Sequence, residues 1–299
     1  GKDYASVMVR FTYIFLVFIT ILLISCISCS RQSDGFVFDG MTSTYTAPDG
    51  CVYRKFLDKG AAVASIADYT GEVYVVPEEV CGLKVVGFLE KAEIGNSTVK
   101  TLILPDNVEF LNFSLYIDFP SLRSVYIGAG LTATMDGVFS MCSHLEQVTV
   151  DPRNPVFYSE NNCIISRDDR RIINACEGAT EIPRSAEVIG GNSYVALHIT
   201  RMEIPENIKT IDSLAFQACV ELKAVFIPAT VETVGKAVFR SDYDQQMQVT
   251  VGLRQVERDL LQQLLQSHSG LGGDGCRLFV QRQRQLRQLV ALVEHVYSG

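Results

Sequence analysis

The stretch PENIKTIDSLAFQACVELKAVFIP, from Pro205 to Pro228, reads as one turn of a solenoid, and the chain repeats it. The next turn starts at Pro228 (PATVETVGKAVFRSDYDQQMQVTV) and the one before at Pro183 (PRSAEVIGGNSYVALHITRMEIP). Two earlier turns start at Pro105 and Gly128, and a further start falls at position 151. The spacing is 22 or 23 residues wherever the turns are uninterrupted. A fixed period of this length marks stacked supersecondary units, each too small to bury its own apolar face.

The period also carries chemistry. Three residues after each start stand Val108, Leu131, Ala186, Ile208 and Val231; six after stand Leu111, Thr134, Ile189, Ile211 and Val234. Eleven after stand Tyr116, Phe139, Tyr194, Phe216 and Phe239. Stacking would line these up as two aliphatic columns and one aromatic column. Each turn closes on a strand pattern, LRSVYI, LEQVTV, ITRMEI or LKAVFI, and VKTLIL precedes the first.

The run L-x-x-V-x-I-P, then V-x-x-I, then A-F-x-x-C resembles the BspA-like leucine-rich repeat family. Leu222, Val225, Ile227, Pro228, Ala215, Phe216 and Cys219 carry it, with Phe139 and Cys142 in another turn. The segment Asn154 to Cys176 resembles the hairpin inserted between turns in that family, and the resemblance covers residues 45 to 251. It implies a leucine-rich-repeat solenoid, β-rich with short helical or irregular segments. It also implies a bacterial cell-surface protein, since many members are linked to adhesion to host matrix proteins or other cells.

Residues 11 to 29 (FTYIFLVFITILLISCISC) contain no charge and follow Lys2 and Arg10. A basic start before an apolar run is an export signal, and the run is also near the ~20 residues that span a bilayer. Leu23-Ile24-Ser25-Cys26 resembles a lipobox, which would make Cys26 the lipidated residue. A lipoprotein signal, an uncleaved anchor and a simple signal peptide are the three readings. Each places the rest outside the cytoplasm, in the cell envelope. Residues 30–44 read as a polar tether, and 45–104 as an N-terminal cap with a degenerate first repeat. Residues 105–252 read as repeats with a hairpin insertion at 152–182, whose Arg167–Arg170 tip is solvated.

The tail, 253–299, has no Lys and is rich in Arg, Gln and Leu. Leu253, Val256, Leu260, Leu264 and Leu265 share one helical face. Leu278, Leu286, Leu289, Val290, Val293 and Val296 share another, with GLGGDG (Gly270–Gly275) between. This predicts a helical hairpin. It would act as a cap or as a self-association seam; the composition shift also fits a segment foreign to the repeat design.

Catalysis finds no foothold. None of the four histidines lies in a metal-binding HExxH, and no nucleophile elbow, P-loop or dinucleotide fingerprint occurs. The net charge of −8 argues against nucleic acid, which needs clustered cations. No cofactor or metal is implied, and Cys142 and Cys219, fourteen after their starts, read as buried thiols. A Cys163–Cys176 disulfide across the insertion is the alternative pairing to test.

What remains is a surface. Strand alternation sends the Leu, Val and Ile positions inward and the residues between them outward. That row reads Ile103, Tyr126, Thr149, Glu203, Phe226 and Thr250, with Arg201 two places back from Glu203. Aromatics and Arg are enriched at binding hot spots, so this face is the candidate contact for a protein partner. The second reading is a structural envelope protein that assembles through its tail.

Overall fold

In a computed structural model the described residues are 35–58, 60–93, 95–111, 119–240, 247–252 and 276–281. Within them each turn crosses two β faces. On the first face the L-x-x-V-x-I segments stack in parallel. Val73–Val75, Thr101–Leu104, Ser124–Ile127 and Gln147–Val150 form one four-stranded sheet. Arg201–Glu203, Ala224–Ile227, Met247–Gly252 and Cys276–Gln281 form another. The register is turn on turn: Ile103 pairs with Tyr126 and Tyr126 with Thr149, while Glu203 pairs with Phe226 and Phe226 with Thr250. A constant period returns the chain to the same phase, so like positions pair.

The second face carries the positions five and six after each start. Bridges join Gly87, Phe110 and Ala133, and the strands Val188–Ile189, Thr210–Ile211 and Thr233–Val234 pair in parallel. Between the faces lie the expected columns. Val108, Leu131, Ala186, Ile208 and Val231 are all buried, as are Leu111, Ile189, Ile211 and Val234. Phe139, Tyr194, Phe216 and Phe239 are buried too, and the last three stack with ring centroids 5.0 and 5.5 Å apart. Burying each such ring stabilises the fold by roughly 2–3 kcal/mol. Tyr116 lies outside the described residues.

The connections between the faces contain no helix among the described residues, so of the short helical or irregular segments expected they are the irregular kind. The cause is local. Nine residues after the start the backbone takes positive φ in four turns: Gly137, Asn192, Leu214 and Ala237. Ala196 and Ala218 do so again thirteen after. A left-handed residue every four or so positions cannot sit in a right-handed helix.

The insertion is a three-stranded meander, Phe157–Glu160, Cys163–Ser166 and Arg171–Ala175, where the sequence suggested two strands. Asn161 and Asn162, both at positive φ, form its first two-residue turn, the geometry of a type I′ hairpin. The third strand pairs in parallel with Val188–Ile189 and so replaces a turn of the second face. Both sides of the meander are buried: Cys163, Ile165 and Ile172 join the core of the following turns, Phe157, Ile164, Ile173 and Cys176 that of the preceding ones. Phe139 is therefore parted from Tyr194, whose hydroxyl lies 3.5 Å from Cys163 Sγ. Cys163 and Cys176 are free thiols on opposite sides of the meander, as their separate cores require.

The N-terminal cap reaches further back than the sequence suggested. Val37–Asp39, Thr44–Thr46, Val52–Phe56 and Gly60–Ser65 form an antiparallel meander whose last strand pairs in parallel with Leu83–Glu93. Part of the stretch read as tether is thus folded against the core, from Phe36 onward. At the other end, Cys276–Gln281 is a strand paired in parallel with Met247–Gly252, which corrects the helical reading for Leu278. A growing parallel ladder offers unpaired backbone groups at its edge, and an apolar run such as CRLFVQ satisfies them by adding a strand. The other tail positions proposed as helical lie outside the described residues, as does the 11–29 segment with Cys26.

Candidate functional site

The strand face is built by alternation. In Thr101–Leu104 and Ser124–Ile127 the burial runs half-buried, buried, half-buried, buried, and in Gln147–Val150 exposed and buried residues alternate. Ile103, Tyr126 and Thr149 therefore point outward abreast, flanked by Thr101, Ser124 and Gln147. Thr101 and Ser124 meet hydroxyl to hydroxyl at 3.0 Å. Beyond the insertion Glu203 is exposed and Phe226 half-buried in the same register, and Arg201 is exposed and bonded to Glu203 at 2.9 Å. Thr250 is in register with Phe226, but its side chain lies outside the described residues. The structure thus gathers the predicted residues into two groups on two separate sheets rather than one unbroken row.

Tyr126 is held at its tip. Its hydroxyl donates to Asp151 Oδ2 at 2.7 Å, and Arg153 grips the same carboxylate through Nε at 3.1 Å and Nη2 at 2.8 Å. Nη2 of Arg153 also reaches Asp106 Oδ2 at 3.0 Å. The paired guanidinium holds the Asp151 carboxyl down to about 2. Burial, then the bond to Asp151, pushes the Tyr126 phenol up, so the ring presents a neutral edge.

Beside the outward row runs a charge column that the sequence reading missed. Lys100 bonds Glu72 at 2.6 Å and Arg123 bonds Glu146 at 3.0 Å, each across one turn. Arg123, Ser124, Glu146 and Gln147 line a small polar cleft closed on one side by Asn162 of the insertion. The signal was available: Lys100, Arg123 and Glu146 stand 23 apart.

A second missed column is internal. Nδ2 of Asn107 donates to the carbonyls of Pro77 and Val85, that of Asn154 to Gly128 and Leu131, and that of Asn207 to Pro183 and Ala186. Each ties a turn's opening to the preceding one. In the turn from Gly128 the matching residue is Gly130, where a Cβ would come within 1.9 Å of the Asp106 carbonyl. Asn96 does the same work in the cap: it is buried and donates to Ile66 and Tyr69, which removes it as a glycosylation acceptor despite its Asn-Ser-Thr sequon. No cluster of residues suited to a metal occurs among the described residues. Of the histidines, His144 is exposed beside Ser143, and His198 bonds Glu177 at 2.8 Å.

The chain overlays on bacterial leucine-rich repeat structures at low similarity. One is a leucine-rich repeat protein of Eubacterium ventriosum, 12% identical, covering 71% of this chain and 72% of its own, with a TM-score of 0.39. Another is a leucine rich cell surface protein of Faecalibacterium prausnitzii, 12% identical, covering 85% and 96%, with a TM-score of 0.36. A third, from Bacteroides ovatus, is 13% identical, covers 84% and 67%, and has a TM-score of 0.39. Overlays this shallow add no weight of their own, and among curated proteins none matches. The family evidence is the repeat itself: the model of the BspA type leucine rich repeat region matches six copies, over residues 90–168 and 172–265. The columns, the two-faced turns and this match agree, and the chain belongs to the BspA-type leucine-rich repeat family.

Proposed function

We propose that the chain is a protein-binding module displayed on the outer surface of a cell, and that it binds through the strand face. The observation that supports this best is the set of part-exposed apolar side chains, Ile103 and Tyr126 beside Thr149 on one sheet and Phe226 beside Arg201 and Glu203 on the other, with Val73 and Val75 extending the first set. Packing alone does not call for rings at outward positions, whereas contact surfaces favour them. Fixing the Tyr126 ring through Asp151 lowers the entropy lost on contact. Thr250 extends the row by register.

Display rests on the N-terminal sequence: residues 11–29 carry the export signal or anchor, and Cys26 is the lipidation site in the lipoprotein reading. The experiment uses a panel of immobilised extracellular-matrix proteins and the Tyr126→Ala, Phe226→Ala double variant. Binding by the native chain that the double variant loses, with its circular dichroism unchanged, supports the strand face. Binding undiminished in the variant overturns it.

A further inference from the structure

We infer that the edge of the N-terminal cap rests on a lipid bilayer, an inference that depends on the anchored reading above. Seven large hydrophobic residues are exposed among the described residues, and four of them lie in this one corner: Val37, Phe38, Met41 and Leu57, at 67%, 56%, 97% and 72% exposure. Val37 and Phe38 are on the outermost strand of the cap sheet. Met41 is in the turn between Val37–Asp39 and Thr44–Thr46, and Leu57 follows Val52–Phe56, in the next turn at the same end of the meander. The two turns are neighbours, because Lys55 N–H donates to the Ser43 carbonyl. Apolar residues at turn tips oppose the usual rule that tips are polar. Leu57 moreover takes positive φ, where Gly or Asn is the unstrained choice.

The length of chain ahead of the cap names the occupant. The uncharged run ends at Cys29, and the cap begins its first strand at Val37. An extended chain covers at most ~3.6 Å per residue, so the cap edge is held within roughly 30 Å of the end of that run, and within about 40 Å of Cys26. The short first strand and its turn span only about 10–15 Å more. Once the apolar run or its lipid is in the bilayer, the tether keeps the cap edge within about 55 Å of the anchor, close enough to reach the headgroups at high local concentration. Exposed Arg54 and Lys55 flank the Met41 turn and suit anionic headgroups. Among the described residues the acids at this end are exposed Asp39, which accepts Met41 N–H and the Thr42 hydroxyl, and exposed Asp58.

The chain has no tryptophan, so a single one reports its own surroundings. Met41→Trp, Leu57→Trp and, in the far half of the repeats, Val220→Trp are placed separately in the full chain. Each is mixed with phosphatidylethanolamine–phosphatidylglycerol vesicles carrying brominated acyl chains. The expected result is emission at shorter wavelength and largely lost to bromine at positions 41 and 57, with emission at 220 unaffected. Chain that sediments with the vesicles but is unquenched at 41 and 57 overturns this inference and leaves the anchor standing. A concentration-dependent blue shift without quenching does the same, by assigning the corner to a second copy of the chain. Chain that stays in the supernatant overturns both.

Discussion

The hydroxyl of Tyr126, on the strand Ser124–Ile127, donates to the carboxylate of Asp151 at 2.7 Å, and Asp151 directly follows the adjacent strand, Gln147–Val150. The candidate binding ring is thereby tied to the stack. Tyr126→Phe keeps the ring and frees the carboxylate, so partner binding should fall only a few-fold, against the near-complete loss expected for Tyr126→Ala. Titrating both variants by surface plasmon resonance against the partner found in the matrix panel separates ring from hydroxyl.

The same carboxylate predicts an acid response. Asp151 has its folded pKa lowered to about 2 by Arg153, below the ordinary value of 3.8. A lowered carboxylate pKa stabilises the fold above the ordinary value, and that contribution is lost as pH falls from about 4 towards 2. Arg153→Ala should flatten thermal stability across that window while leaving its shape near neutrality unchanged, as read by differential scanning calorimetry from pH 2 to 7.

The asparagine column makes a paired prediction. Asn154 is buried and bonds two carbonyls at 2.8 and 3.0 Å, so Asn154→Ala should destabilise by about 2 kcal/mol. Thr230 occupies the corresponding place in the turn from Pro228, and its buried hydroxyl has no partner. Thr230→Asn should reach the carbonyls of Pro205 and Ile208 as Asn207 reaches those of Pro183 and Ala186, stabilising by ~1 kcal/mol. Urea denaturation measures both; a neutral Thr230→Asn would count against the column.

Left-handed positions predict gains from glycine. Ala218 sits at φ 58° and Ala237 at φ 52°. Relief of strain exceeds the added freedom of the unfolded chain, so each change to Gly should raise stability by up to about 1 kcal/mol. For a chain of this size that lifts the melting midpoint by ~2–4 °C.

Thiol chemistry should be equally selective. Cys81 is exposed, whereas Cys51, Cys142, Cys163, Cys176 and Cys219 are buried. Burial pushes Cys51, Cys163 and Cys219 up to about 12, and Cys176 well up. Among these six, iodoacetamide at pH 8 should label Cys81 in the native chain and the others only in denaturant, as peptide mass mapping would show.

The turn stack was legible because its determinants are periodic. Val108, Leu131, Ile208 and Val231 announce a column by recurring, and Ile103, Tyr126 and Thr149 announce a face by alternating. The left-handed positions stayed hidden because Gly137, Asn192, Leu214 and Ala237 share a backbone conformation and no chemistry. The split of the strand face stayed hidden for another reason: where the meander enters the stack depends on tertiary pairing between Arg171–Ala175 and Val188–Ile189. The first cap strand was missed because VFD is too short to alternate visibly, and Leu278 because LFV fits either helix or strand until an edge is there to receive it.

The doubly buried meander has one more consequence. In an array whose units touch only their neighbours, a lesion weakens its own vicinity and the rest carries on. Here a single sheet forms the party wall of two compartments, with Ile164 lining one and Ile165 the other. Neither compartment can melt without baring that wall, so the two halves are expected to come apart together instead of as a string of separable beads.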